Sequence, residues 1–131
     1  MVIDNNGNIV VVGASASDAD FNVVVWRVKP SGVLDDSFGN GGFMLINDTA
    51  GIGDDIGRSI VLDASGNIWL SGESYNGLDY DMVIWRLEKD GQFDPVNGVG
   101  EQFIYSTPGD DRGFALVVDA TGKIYKYSAH E

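Results

Sequence analysis

The chain of 131 residues contains no cysteine, which excludes a disulfide framework, a thiolate metal site and a thiol nucleophile. Its one histidine, His130, is the penultimate residue, so no imidazole is available for a triad or a metal centre, and a frayed terminal role is expected for it. Positive charge is scarce: eight Lys and Arg stand against twenty Asp and Glu, a formal net charge of −12. Nucleic acid and anionic membranes are disfavoured as partners by that sign, and cationic partners are preferred. Long hydrophobic runs are also missing. The apolar runs, such as residues 9–12 and 23–26, are no more than about five residues long and fall far short of a membrane span, and the opening seven residues show no basic and apolar pattern of a signal peptide. No stretch carries apolar residues at spacings of three and four with caps, so helix is expected to be nearly absent.

What the chain does have is turn chemistry and β-branched residues. Sixteen Asp, nine Asn and eighteen Gly alternate with short runs rich in Val and Ile, of which there are fifteen and ten. At 44% hydrophobic residues the chain can bury a core. The runs are bounded by Gly, Asn and Asp and predict strands at about 1–4, 8–13, 21–28, 42–47, 59–63, 67–72, 81–88, 102–106, 114–119 and 123–127. Asp63-Ala64-Ser65-Gly66 and Asp119-Ala120-Thr121-Gly122 suit a type I turn closed by a left-handed glycine, and Lys29-Pro30-Ser31-Gly32 and Glu88-Lys89-Asp90-Gly91 repeat that logic.

An internal repeat organises these strands. Laying residues 1–42 on residues 60–101 gives fifteen identities at a constant offset of 59, including Trp26/Trp85, Arg27/Arg86 and Gly7/Gly66. A second register, offset by 56, lays Gly53-Asp54-Asp55-Ile56-Gly57 on Gly109-Asp110-Asp111-Arg112-Gly113, and Gly66 on Gly122. A period of this size points to propellers or solenoids. Four strands per period match one propeller blade, so the expected fold is all-β and β-propeller-like. It has four-stranded antiparallel blades, two of them full, followed by a terminal hairpin. The expected organisation is one repeat domain over residues 1–131, with blade 1 at about 1–58, blade 2 at about 59–112 and a partial third at about 113–131.

Three segments resemble the delta-60 repeat, a bacterial β-propeller family found in tandem arrays: the D-x-x-G-[NK]-I hairpins at Asp4, Asp63 and Asp119, the strand ending Trp26-Arg27 with its glycine turn and Leu34-Asp35, and Ser37-Phe38-Gly39-Asn40-Gly41-Gly42. The likeness covers almost the whole chain. It departs where Asp94-Pro95-Val96-Asn97-Gly98 lacks the Phe of its counterpart and where Tyr125-Lys126-Tyr127-Ser128 replaces an apolar run ending in Gly. The resemblance implies a fold and exported or cell-surface parent proteins, with no established activity attached.

Candidate sites are few. Asp18 and Asp20, Asp79 and Asp81, and the pairs Asp54-Asp55 and Asp110-Asp111 sit at loop-to-strand junctions, where clustered carboxylates can hold calcium. No EF-hand loop continues from any of them, and Asp more commonly accepts backbone hydrogen bonds in Asx-turns. No other cofactor is indicated. Trp26 and Trp85 are expected to pack between neighbouring blades, with Arg27 and Arg86 on the opposite face in ion pairs with an adjacent blade, or else reaching a ligand. Two and a half blades cannot close a ring, so the reading expects completion by homo-oligomerisation or by further repeats. A non-catalytic scaffold or binding module for a protein or glycan is the favoured function. The alternative is a propeller glycan hydrolase or lyase using channel carboxylates.

Overall fold

The computed structural model describes residues 1–17, 19–121 and 123–130, the last five by backbone alone. Asp18 and Gly122 of the sequence reading lie outside the described residues. The protein is all-β. Strands β1 (Val2–Ile3), β2 (Ile9–Ala16), β3 (Phe21–Val28) and β4 (Phe43–Ile46) form a first antiparallel sheet in that order. A second follows the same order through β5 (Asp55–Leu62), β6 (Ile68–Tyr75), β7 (Tyr80–Leu87) and β8 (Glu101–Tyr105), and β9 (Asp111–Val118) pairs with β10 (Ile124–His130). Among the described residues the one helical element is a 3-10 turn at Pro95–Asn97.

The repeat offsets reappear as strand register. Ile9 faces Val28 and Ile68 faces Leu87; Trp26 faces Phe43 and Trp85 faces Gln102, each second pair being the first plus 59. The hairpin copies the start of the second sheet at an offset of 56, including an irregularity that skips Arg58 in one copy and Phe114 in the other. The expected turns form. Gly7 and Gly66 adopt φ of +81° and +85°, and their N–H groups donate to the Asp4 and Asp63 carbonyls at 3.0 Å. The Asp side chains lock the turns: Asp63 Oδ1 accepts from the N–H groups of Ser65 and Asn67 at 2.9 and 3.0 Å, as Asp4 and Asp119 do in their own copies.

Several strands extend beyond their expected limits, β10 as far as His130. β5 begins at Asp55 and β9 at Asp111, inside the Gly-Asp-Asp segments read as loops, while β2 and β6 run on to Ala16 and Tyr75. The extensions of β2, β5, β6 and β9 are largely polar, and several of their residues are buried: Asp55, Glu73 and Ser74 are fully enclosed. Hydrophobic patterning misses them because hydrogen bonds and ion pairs, not apolar area, keep them inside. His130, expected to fray, lies at the end of β10 opposite Asp111.

The sheets stack face to face. Val10, Val23, Val25 and Ile46 of the first meet Ile60, Ile68, Leu70, Val83, Trp85 and Leu87 of the second in one buried cluster, sealed by Phe38 from the β3–β4 connection. Each sheet contributes alternate residues to opposite faces, so Val23 and Val25 look toward the second sheet while Val24 and Trp26 look away. β5 crosses close over β2 and β3, and β9 crosses over β6 and β7 in the same manner. The crossing needs glycine: a Cβ at Gly57 would stand 2.6 Å from Val12 Cγ2, and one at Gly113 would stand 3.0 Å from Met82 Cγ. The first strands converge, β5 lying against both β1 and β9, whereas β4 and β8 have their main contacts with β3 and β7 alone.

Candidate functional site

The antiparallel meander sends the loops into two groups at opposite ends, and each end gathers polar residues. The β2–β3, β4–β5, β6–β7 and β8–β9 connections share one end, which receives the aspartates read as metal candidates. Asp54 Oδ1 accepts from the Phe21 N–H of the first sheet at 2.9 Å, and Asp110 Oδ1 accepts from the Tyr80 N–H of the second at 3.0 Å. These are the same bond in two copies, tying each Gly-Asp-Asp segment to the third strand of the preceding sheet. Asp79 accepts from Asn76 Nδ2 and from the Gly109 N–H, Asp81 accepts from Asn76, and Asp20 accepts from the Ser17 hydroxyl. Asp111 accepts from the N–H and hydroxyl of Thr107 at 2.7 and 2.8 Å. Among the described residues, no three acidic or imidazole side chains are grouped so as to hold a metal ion.

Asp55 differs. It is fully buried, and neither carboxylate oxygen meets a donor in hydrogen-bond geometry. Burial pushes its carboxyl above the ordinary carboxylate range, against the milder opposing pull of the nearby Ser74 hydroxyl and the Thr49 and Asp48 amides.

The centre of this end is a network that the sequence reading did not identify. Glu73 is fully buried; its Oε1 takes Arg58 Nε at 2.6 Å, and its Oε2 takes Arg112 Nη1 at 3.2 Å. Arg112 also donates to Asp110 and lies over the Tyr80 ring, 5.0 Å from its centroid, while Arg58 covers Phe114. The Tyr80 hydroxyl donates to Asp54 Oδ2 at 3.3 Å. Burial and the Asp54 charge both raise the phenol pKa, which keeps it a donor. One signal pointed here: Glu73 is an acidic residue inside the strand-like run Leu70-Ser71-Gly72-Glu73-Ser74, a position open to a carboxylate only when arginines meet it.

The other end carries the β1–β2, β5–β6 and β7–β8 turns, which surround a groove of about 410 Å³. Val10, Leu62 and Ile68 are its apolar lining, Asn5, Asn6 and Ser65 add amides and a hydroxyl, and its charge is mixed, with Arg27 and Lys89 set among Asp4, Asp63 and Asp90. Arg27 is held in place: Nε donates to Asp35 Oδ2 at 2.8 Å, Nη1 donates to the Lys89 carbonyl at 3.1 Å, and the guanidinium lies over Phe38. The Ser37 hydroxyl, ahead of Arg27, holds the Asp35 carboxyl below its ordinary range. The expected ion pairs therefore form, but within one sheet. Arg27 meets Asp35, which the connection after β3 folds back beside it, while Arg86 meets Glu101, its cross-strand partner on β8, and Glu88. Arg27 reaches the second sheet through a carbonyl instead. Trp85 packs between the sheets with its Nε1 donating to Thr49 Oγ1 at 3.0 Å, whereas Trp26 lies on the outer face of the first sheet over Gly13.

No family model matches the chain, and a comparison with curated proteins finds no matching relative.

Proposed function

We propose that the chain is a non-catalytic scaffold and binding module built on β-propeller blades, akin to delta-60 repeats, in which each four-stranded sheet is one blade and the first strand of each lies nearest the axis. The converging first strands and the constant stacking pattern support the blade reading. The observation that carries the functional reading is the fate of the carboxylates. Glu73 is neutralised by two arginines, and Asp54, Asp79, Asp81, Asp110 and Asp111 serve as acceptors that join sheets or close loops. Carboxylates engaged in this way are poorly placed to act as an acid and base pair across a sugar ring. Recognition is assigned to the groove beside Arg27 and Lys89, whose apolar lining and mixed set of amides, hydroxyl, carboxylates and ammonium suit a hydroxyl-rich ligand such as a glycan segment.

The test is an NMR titration of the ¹⁵N-labelled protein with neutral oligosaccharides, run beside a turnover assay on chromogenic glycosides. Shifts confined to Asn5, Asn6, Ser65 and Lys89, weakened about tenfold in Lys89→Ala and without turnover, support the binding module. Hydrolysis or elimination abolished by Glu73→Gln or Asp55→Asn would establish the enzyme alternative, in which those buried acids do the chemistry.

A further inference from the structure

The face of the first sheet that looks away from the second is built from Ile9, Val11, Val24, Trp26, Val28, Phe43 and Leu45, together with Ile3 at its edge. None is charged, in a chain carrying −12. The same positions plus 59 include Ile68, Leu70, Val83, Trp85 and Leu87, which the first sheet covers completely. On the first sheet most of them are left partly open among the described residues: Ile3 is 66% exposed, Leu45 is 44% exposed and Trp26 is half-buried, while Val24 alone is buried. Asn22, on the same face, keeps a buried Oδ1 with no hydrogen-bond partner, whereas its counterpart Asp81 is bonded to Asn76. A contiguous apolar face of this kind on a soluble chain marks an interaction surface.

We propose that this face docks a second copy of the chain through the outer face of the β9–β10 hairpin. Continuity with the internal interface identifies the occupant. Within the chain, the second sheet's apolar face is covered by the side of the first sheet that bears Val2 and Val10. The hairpin residues at those places, one full pair of offsets further on, are Val117 and Tyr125, which face each other across β9 and β10. Both are exposed, at 60% and 49%. The molecule therefore presents, at its two ends, the two halves of a contact it already makes internally, and copies join head to tail. The proposal rests on the stacked-sheet reading above and names its partner.

Sedimentation velocity over a range of concentrations tests it. The wild type should sediment at twice the chain mass or more, with added salt favouring assembly by screening the shared negative charge. Ile3→Lys/Leu45→Lys removes one half of the contact and Val117→Lys/Tyr125→Lys removes the other. All four positions are exposed, and circular dichroism checks that both variants keep the β signal. Each variant alone should be monomeric, and mixing them should restore a dimer through the one intact pair of faces. Assembly that survives the hairpin substitutions but not the sheet substitutions would mean the apolar face pairs with itself, and would overturn head-to-tail docking. A wild type that stays monomeric throughout would overturn self-association and point to a different protein on that face, while leaving the blade reading intact. Wild-type protein lacking a cooperative β unfolding transition would instead sink the blade reading.

Discussion

The first and second sheets share strand order, register and turn chemistry, yet the same letter has different physical weight in each. Trp85 is fully enclosed, its indole N–H bonded to Thr49, while Trp26 rests half-covered on Gly13. The difference comes from the neighbour. A sheet in this protein buries an apolar face only when another sheet lies against it, so stability is concentrated in the interfaces more than in the sheets themselves. The loop that bonds Trp85 belongs to the connection between sheets, which means that the covalent link also seals the contact.

The comparison is broken most strongly at the tryptophans. Trp85→Ala should cost about 3–5 kcal/mol, as expected for deleting a large buried aromatic, and Trp26→Ala only about 1 kcal/mol, measured by urea unfolding at concentrations where the chain is monomeric. Equal losses would mean that the outer face of the first sheet is covered too. Next is Glu73, whose counterpart in the first sheet is Ala14. Glu73→Ala strands Arg58 and Arg112 and should cost about 3 kcal/mol. The volume-preserving Glu73→Met/Arg58→Met pair should recover part of that loss, because it removes a buried charge and one of its two partners together. The glycine pair Gly13 and Gly72 ranks third. A methyl at Gly72 would run into the Ile56 carbonyl, and backbone cannot yield as a side chain can, whereas at Gly13 it would meet only the edge of the Trp26 ring at 2.9 Å. Gly72→Ala should cost about 2–3 kcal/mol and Gly13→Ala about 1 kcal/mol, read from the same unfolding curves.

The parts of the fold visible in sequence were those written in period and turn chemistry. Asp-x-x-Gly marked the β1–β2 and β5–β6 hairpins because Asp caps the turn and Gly7 and Gly66 take the left-handed residue, and the constant offset carried over directly into register. The site was less visible. Asp54 and Asp110 were identified as candidates, but their role depends on a strand that lies 33 and 30 residues away in the chain, a distance that composition cannot bridge. Arg58, Glu73 and Arg112 escaped notice because each is an ordinary charged residue until β9 stacks on β6 and brings them together. The arginines after the tryptophans were assigned the right kind of partner in the wrong sheet, since Asp35 is brought back by the path of its loop and Glu101 by its register on β8, opposite Arg86.

Asp55 and Asp111 give the smallest contrast and the most specific one. They are the same residue of the repeat, both buried, and Asp111 is supplied with the Thr107 N–H and hydroxyl while Asp55 has no well-formed donor. Since burial raises the folded-state pKa of Asp55 above that of the unfolded chain, the native protein holds that proton the more tightly. Its contribution to stability is then most favourable below the unfolded carboxyl range and declines as pH rises through the folded-state value. Asp55→Asn, which cannot ionise, removes that decline. The variant should be more stable than the parent at neutral pH, with the two unfolding free energies drawing together as the solution is acidified. Asp111→Asn should do the reverse at neutral pH and destabilise, because the amide offers the Thr107 N–H and hydroxyl a neutral acceptor oxygen in place of a charged carboxylate, which weakens both bonds. If both asparagine variants shift stability in the same direction across the titration, the two copies of the Gly-Asp-Asp segment are energetically alike, and the asymmetry between the interfaces lies elsewhere.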